Sequence, residues 1–84
     1  MSVWELSWSI PAEEALRAIP WREAARVDAA LIRFATTGEG ELERIPHDPV
    51  GAWMRVGGYK VRISLNRRER IIAVLYVWRS FQRG

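Results

Sequence analysis

Between residues 59 and 66 the chain alternates with a period of two. Tyr59, Val61, Ile63 and Leu65 fall on one face; Lys60, Arg62, Ser64 and Asn66 fall on the other. Successive side chains of a strand point to opposite sides, so this segment presents an apolar row to a core and a basic row to solvent. A slip of one residue would bury Lys60 and Arg62, so the pattern also fixes the register. Gly57-Gly58 lies just upstream, after a second short apolar run, Trp53 to Val56. Two glycines accept the positive φ of a two-residue hairpin turn. That turn pairs Val56 with Tyr59, Arg55 with Lys60, Met54 with Val61 and Trp53 with Arg62. Trp53, Arg55, Lys60 and Arg62 then share one face. Like charges placed directly opposite repel, which argues for an anionic ligand on that face.

A third strand is expected over Ile71–Trp78, apolar on both faces as in a central strand. If Arg67-Arg68 form a two-residue turn, Ile72, Val74, Tyr76 and Trp78 join the core. Arg79 then falls on the face of Lys60 and Arg62. A three-residue turn reverses that parity.

The first half reads differently. Trp4, Leu6 and Trp8 alternate with Val3, Glu5, Ser7 and Ser9 as a half-buried strand. Ser9, followed by Pro11, Glu13 and Glu14, marks a helix start through a hydroxyl cap, an early proline and acids in the first turn. Pro20 ends that helix and opens a second. The second carries an apolar stripe of Ala24, Val27, Leu31 and Phe34, and stops at Gly38 and Gly40. Residues 38–52 form a loop with a short extended piece around Leu42. The order is strand, two helices, loop, three strands. This predicts one domain over residues 1–84: an α+β two-layer sandwich, β-α-α-β-β-β, with an antiparallel sheet and both helices on one face.

The 84 residues hold no Cys and one His, so a disulfide is excluded and a zinc site has no ligand set. No apolar run reaches 18 residues, and no signal-peptide pattern opens the chain, so a cytoplasmic protein is expected. Charge is uneven. Residues 1–50 hold nine acids against five arginines, a net of −4; residues 51–84 hold eight cations against Glu69 alone, a net of +7. A basic half on a rigid hairpin argues for an acidic partner, nucleic acid or protein. Of the five Trp, Trp4, Trp8, Trp21 and Trp78 are expected to pack inside, and Trp53 to be available for binding. Arg67, Arg68 and Arg70 read as a solvated turn. Arg55 and Arg62 have Glu39, Glu41 and Glu43 as possible surface partners. His47-Asp48 reads as a surface turn.

The segments Trp53-Met54-Arg55-Val56-Gly57-Gly58-Tyr59-Lys60-Val61 and Ile71-Ile72-Ala73-Val74-Leu75-Tyr76-Val77-Trp78-Arg79 resemble two motifs of the RelE/ParE superfamily of type II toxin–antitoxin toxins. They are similar to its "LRVGxYRV" hairpin and to its penultimate strand ending in "HR". Ile19-Pro20 between the helices and Phe34-Ala35-Thr36-Thr37-Gly38 are similar to further family landmarks. The resemblance spans nearly the whole chain.

It implies a toxin neutralised by a cognate antitoxin, with no cofactor and no metal. RelE-like members cleave ribosome-bound mRNA and so inhibit translation; ParE-like members act on DNA gyrase. Carried over by position, Lys60 stands where such nucleases place a phosphate-binding Arg. Arg79 is the Arg of the terminal motif, Trp78 replaces its His, and Arg83 replaces a C-terminal Tyr. The implied site is Lys60 and Arg79 for catalysis, with Arg55, Arg62 and Trp53 gripping RNA. Attack by a ribose 2′-hydroxyl needs a base, an acid and cations around the phosphate. The chain supplies the cations but no evident acid–base pair. A RelE-like mRNA endoribonuclease is the first reading, since the basic row would otherwise be idle. A ParE-like gyrase poison, or a non-nucleolytic antitoxin-binding member, is the alternative.

Overall fold

The computed structural model describes residues 3–80. Its elements run β1 (Glu5–Trp8), α1 (Ile10–Arg17), α2 (Trp21–Thr37), β2 (Glu41–Arg44), β3 (Gly51–Val56), β4 (Tyr59–Asn66) and β5 (Ile71–Arg79). The five strands form one sheet in the order β1-β5-β4-β3-β2. The α+β class and the helix layer on one face agree with the sequence, with two differences in the sheet. β1 pairs with β5 in parallel, because the chain crosses through both helices before returning, so the sheet is mixed rather than antiparallel. The extended piece around Leu42 is a full edge strand, antiparallel to β3.

Local sequence chemistry explains the helix ends. The Ser9 hydroxyl accepts from the Ala12 amide at 3.1 Å, capping α1, with Pro11 in the first turn. α2 stops at Gly38, whose φ of 80° closes the last turn while its amide donates to the Phe34 carbonyl. The stripe of α2 packs as its spacing predicts. Val27 and Leu31 are fully buried, joined by Ala35, with Ala24 and Phe34 half-buried. They meet Met54, Tyr59, Val61, Ile63, Ile72 and Val74 from the sheet.

The β3–β4 hairpin has the expected register in all four pairs, Val56 with Tyr59 through Trp53 with Arg62. The β4–β5 connection is longer than two residues. Arg67 to Arg70 form the turn, with Arg70 at φ 57° and the Asn66 side chain accepting from the Glu69 amide. Two extra residues leave parity unchanged, so Ile72 and Val74 enter the core as expected.

Past Val74 the parity reverses. Ile63 pairs with Val74 but Arg62 pairs with Tyr76, leaving Leu75 as an inserted residue, a β-bulge. Val77 therefore takes the core position. Tyr76 and Trp78 turn to the open face, and Arg79 turns to the helix side, opposite Tyr59. Three expectations are thereby corrected: Tyr76 and Trp78 are not core, and Arg79 does not share a face with Lys60 and Arg62. The expectation for Trp21 also fails. It is 74% exposed at the start of α2, with Arg22 over its ring.

Candidate functional site

The register of four strands builds the open face row by row. Glu41, Arg55, Lys60 and Trp78 lie side by side across β2, β3, β4 and β5. The next row is Glu43, Trp53, Arg62 and Tyr76. A third, from Gly51 through Ser64 and Ala73 to Ser7 of β1, is made of small side chains. The first two rows therefore interleave cations with aromatic rings, and acids stand only at the β2 edge.

Trp53 is the centre of this face. Its ring meets Trp78 edge-on, with centroids 5.1 Å apart and planes at 66°. Lys60 Nζ lies 4.8 Å from its centroid and the Arg62 guanidinium carbon 5.3 Å. Both cations are thus held by the ring quadrupole as well as by the strand. Trp78 in turn packs on Tyr76, centroids 4.4 Å apart.

Arg62 is paired. Its Nη2 donates to Asp48 Oδ2 at 3.1 Å, and its Nε is enclosed without an acceptor. Asp48 Oδ1 accepts from the amides of Gly51 and Val50, which folds the β2–β3 loop back onto the sheet. The loop reaches the sheet through Asp48, while His47 remains exposed at φ 65°. The partner is thus Asp48, not the Glu39, Glu41 or Glu43 expected from the sequence. Glu39 instead pairs with Arg33. The available signal was Asp48-Pro49-Val50-Gly51, a side-chain-to-backbone turn ending in a glycine.

Of the sequence-derived candidates, Trp53, Arg55, Lys60 and Arg62 come together on this face and Arg79 does not. Arg79 Nη2 approaches the Tyr59 hydroxyl at 3.4 Å and its guanidinium lies 5.9 Å from that ring. The Tyr59 hydroxyl donates to Glu23 Oε1 on α2 at 2.7 Å. The hydrogen bond to Tyr59, and more weakly the Glu23 carboxylate, raise the Arg79 pKa above its ordinary value. Arg83 lies outside the described residues. Among the described residues no cluster of three or more His, Asp or Glu could hold a metal ion. Nor, among these residues, is any helix long and apolar enough to cross a membrane. Chemically, the face can bind anions and flat rings together. Among the described residues, Asp48 is the carboxylate that bonds a cation of this face, and no paired acid and base converge beside Lys60.

These features define an α+β sandwich whose helices lie on one sheet face and whose other face, among the described residues, is basic and aromatic. The arrangement is the RelE fold. The chain is similar to one from the RelE–RelB complex of Pyrococcus horikoshii, with a TM-score of 0.76 at 16% identity over 98% of this chain and 99% of that one. It is similar also to one from the RelB–RelE antitoxin–toxin complex of Methanococcus jannaschii, with a TM-score of 0.72 at 16% identity over 87% and 88%. A chain of the toxin–antitoxin complex RelBE2 from Mycobacterium tuberculosis gives 0.65 at 19% identity over 94% and 93%. No family model and no curated protein sequence matches.

Proposed function

We propose that this chain is the toxin of a type II toxin–antitoxin pair, that it grips ribosome-bound mRNA on its open sheet face, and that a cognate antitoxin neutralises it in the cytoplasm. The observation that carries the reading is the direct opposition of Arg55 and Lys60 beside Trp53 on a face that no helix covers. Opposed like charges are destabilising without an anion between them, and a phosphate backbone is such an anion. The shared fold of chains from three RelB–RelE complexes supports the toxin–antitoxin setting.

In this reading Lys60 faces the reacting phosphate, and Arg62 and Arg55 hold its neighbours. Cleavage joins the ribose 2′-oxygen to phosphorus and breaks the bond to the 5′-oxygen. One proton leaves the 2′-hydroxyl and one reaches the departing oxygen. The register of Arg79 with Tyr59 supports a role at the Tyr59–Glu23 end of the helix layer rather than beside Lys60. The lack of a convergent acid–base pair favours a second reading, a non-nucleolytic toxin acting on a protein such as DNA gyrase.

Induction in a growing culture separates the two. Cleavage predicts new mRNA 5′ ends, and Lys60→Ala with Arg62→Ala abolishes both the ends and the growth arrest. DNA breaks and an SOS response, with intact mRNA, would establish the second reading. Arrest that persists in the double variant would remove the open face from either.

A further inference from the structure

The bulge at Leu75 has a consequence for what the open face recognises. A regular β5 would carry Tyr76 and Trp78 into the core beside Ile72 and Val74. The inserted residue instead turns both onto the face that carries Lys60 and Arg62. Bulges re-aim side chains in this way, often beside functional sites. Here the irregularity is anchored: the Ser9 hydroxyl donates to the Leu75 carbonyl at 2.9 Å. The result is a large aromatic ring, Trp78, 45% exposed on a sheet face.

The two tryptophans of the face are not equivalent. Trp53 is half-buried, and Lys60 and Arg62 both lie against its ring. Its role is to brace the cations. Trp78 meets Trp53 edge-on and leans on Tyr76, and the cation–π contacts of this face fall on Trp53. It also stands directly across from Lys60. A flat ring beside a phosphate-sized cation matches one repeat of a single-stranded nucleic acid, a base with its own phosphate.

We infer that Trp78, backed by Tyr76, is a nucleobase-stacking platform, and that the open face takes single-stranded RNA with a base on Trp78 and its phosphate at Lys60. The inference deepens the RNA reading and rests on it. Charge favours nucleic acid over an apolar protein segment, since Arg55, Lys60 and Arg62 flank the rings. An acidic peptide would use the cations and leave Trp78 idle.

The test measures binding of the full chain to a fluorescent single-stranded heptaribonucleotide and to the same backbone without bases. A third ligand, polyglutamate of matching charge, reports charge alone. Wild type is expected to prefer the intact RNA over the abasic strand. Trp78→Ala weakens intact RNA by about 5- to 100-fold and abolishes the preference, while Trp78→Phe restores most of it. Trp53→Ala acts differently: it loosens the cations and weakens intact and abasic strands alike. A retained thermal transition in Trp78→Ala, a half-exposed position, excludes misfolding as the cause. If wild type prefers RNA with bases and Trp78→Ala keeps that preference, the stacking role is overturned and the RNA reading stands. If polyglutamate binds as tightly as RNA, the RNA reading falls, and the inference with it.

Discussion

Ser9 and Leu75 are joined across the parallel edge of the sheet: the Ser9 hydroxyl donates to the bulged carbonyl at 2.9 Å and accepts from the Ala12 amide at 3.1 Å. One side chain thus caps α1 and holds the insertion that sets the facing of Tyr76, Trp78 and Arg79. Ser9→Ala removes both bonds and is expected to cost about 2 kcal/mol. For a domain of this size that lowers Tm by roughly 10 °C. Ser9→Asp keeps a cap acceptor but cannot donate to Leu75, so it should recover only the capping share. Calorimetry on the three proteins checks the split.

Tyr59 links three elements on the helix side. It is 4% exposed, its hydroxyl donates to Glu23 on α2, and Arg79 from the end of β5 approaches the same oxygen. Tyr59→Phe leaves a half-buried carboxylate without that donor, at a cost of about 1–2 kcal/mol. The urea midpoint should fall with an unchanged slope. Because Tyr59 faces away from Lys60 and Arg62, RNA affinity should not change.

Much of this was legible in the sequence. The period-two row of β4, the Gly57-Gly58 turn and the stripe of α2 each encode geometry locally, and the hairpin register followed from them. The facing of Arg79 was not legible. It depends on one inserted residue in a strand that is apolar on both faces, where no alternation marks the bulge. The contacts that hold it come from far away in sequence: Ser9, 66 positions from Leu75, bonds the Leu75 carbonyl through its hydroxyl and the Val74 carbonyl through its amide. Around Leu42 the sequence marks only a short extended piece, because all four residues of the edge strand are exposed and no buried row announces it. Asp48 was missed for a related reason: its partner Arg62 is 14 positions away, and distance in sequence hides such a pair.

Gly51 has no room for a side chain. A Cβ there would collide with the Asp48 carboxylate. Gly51→Ala must therefore push Asp48 from its seat, breaking its bonds to the Gly51 amide and to Arg62. The expected loss is about 2 kcal/mol. Asp48→Ala breaks the same bonds, so the two changes are not additive. The double variant should be little less stable than Asp48→Ala alone. Additive losses in urea unfolding would mean that Gly51 is required for another reason.

Asp48 also sets how much charge Arg62 can offer a ligand. Its Oδ2 takes the Arg62 Nη2 hydrogen while its Oδ1 holds the Gly51 and Val50 amides. Asp48→Asn separates these functions. The amide oxygen can still accept from the backbone and keep the loop closed, but the negative charge is gone. Arg62 then faces a phosphate without an internal competitor. The variant should bind single-stranded RNA several-fold more tightly, and the slope of log affinity against log salt should steepen by up to about 0.7, one further phosphate contact. Asp48→Ala should show the same steeper slope with a smaller gain, since its loop opens and the backbone amides lose their acceptor. An Asp48→Asn protein with wild-type slope and weaker binding would show that Asp48 orients Arg62 for its ligand instead of competing with it.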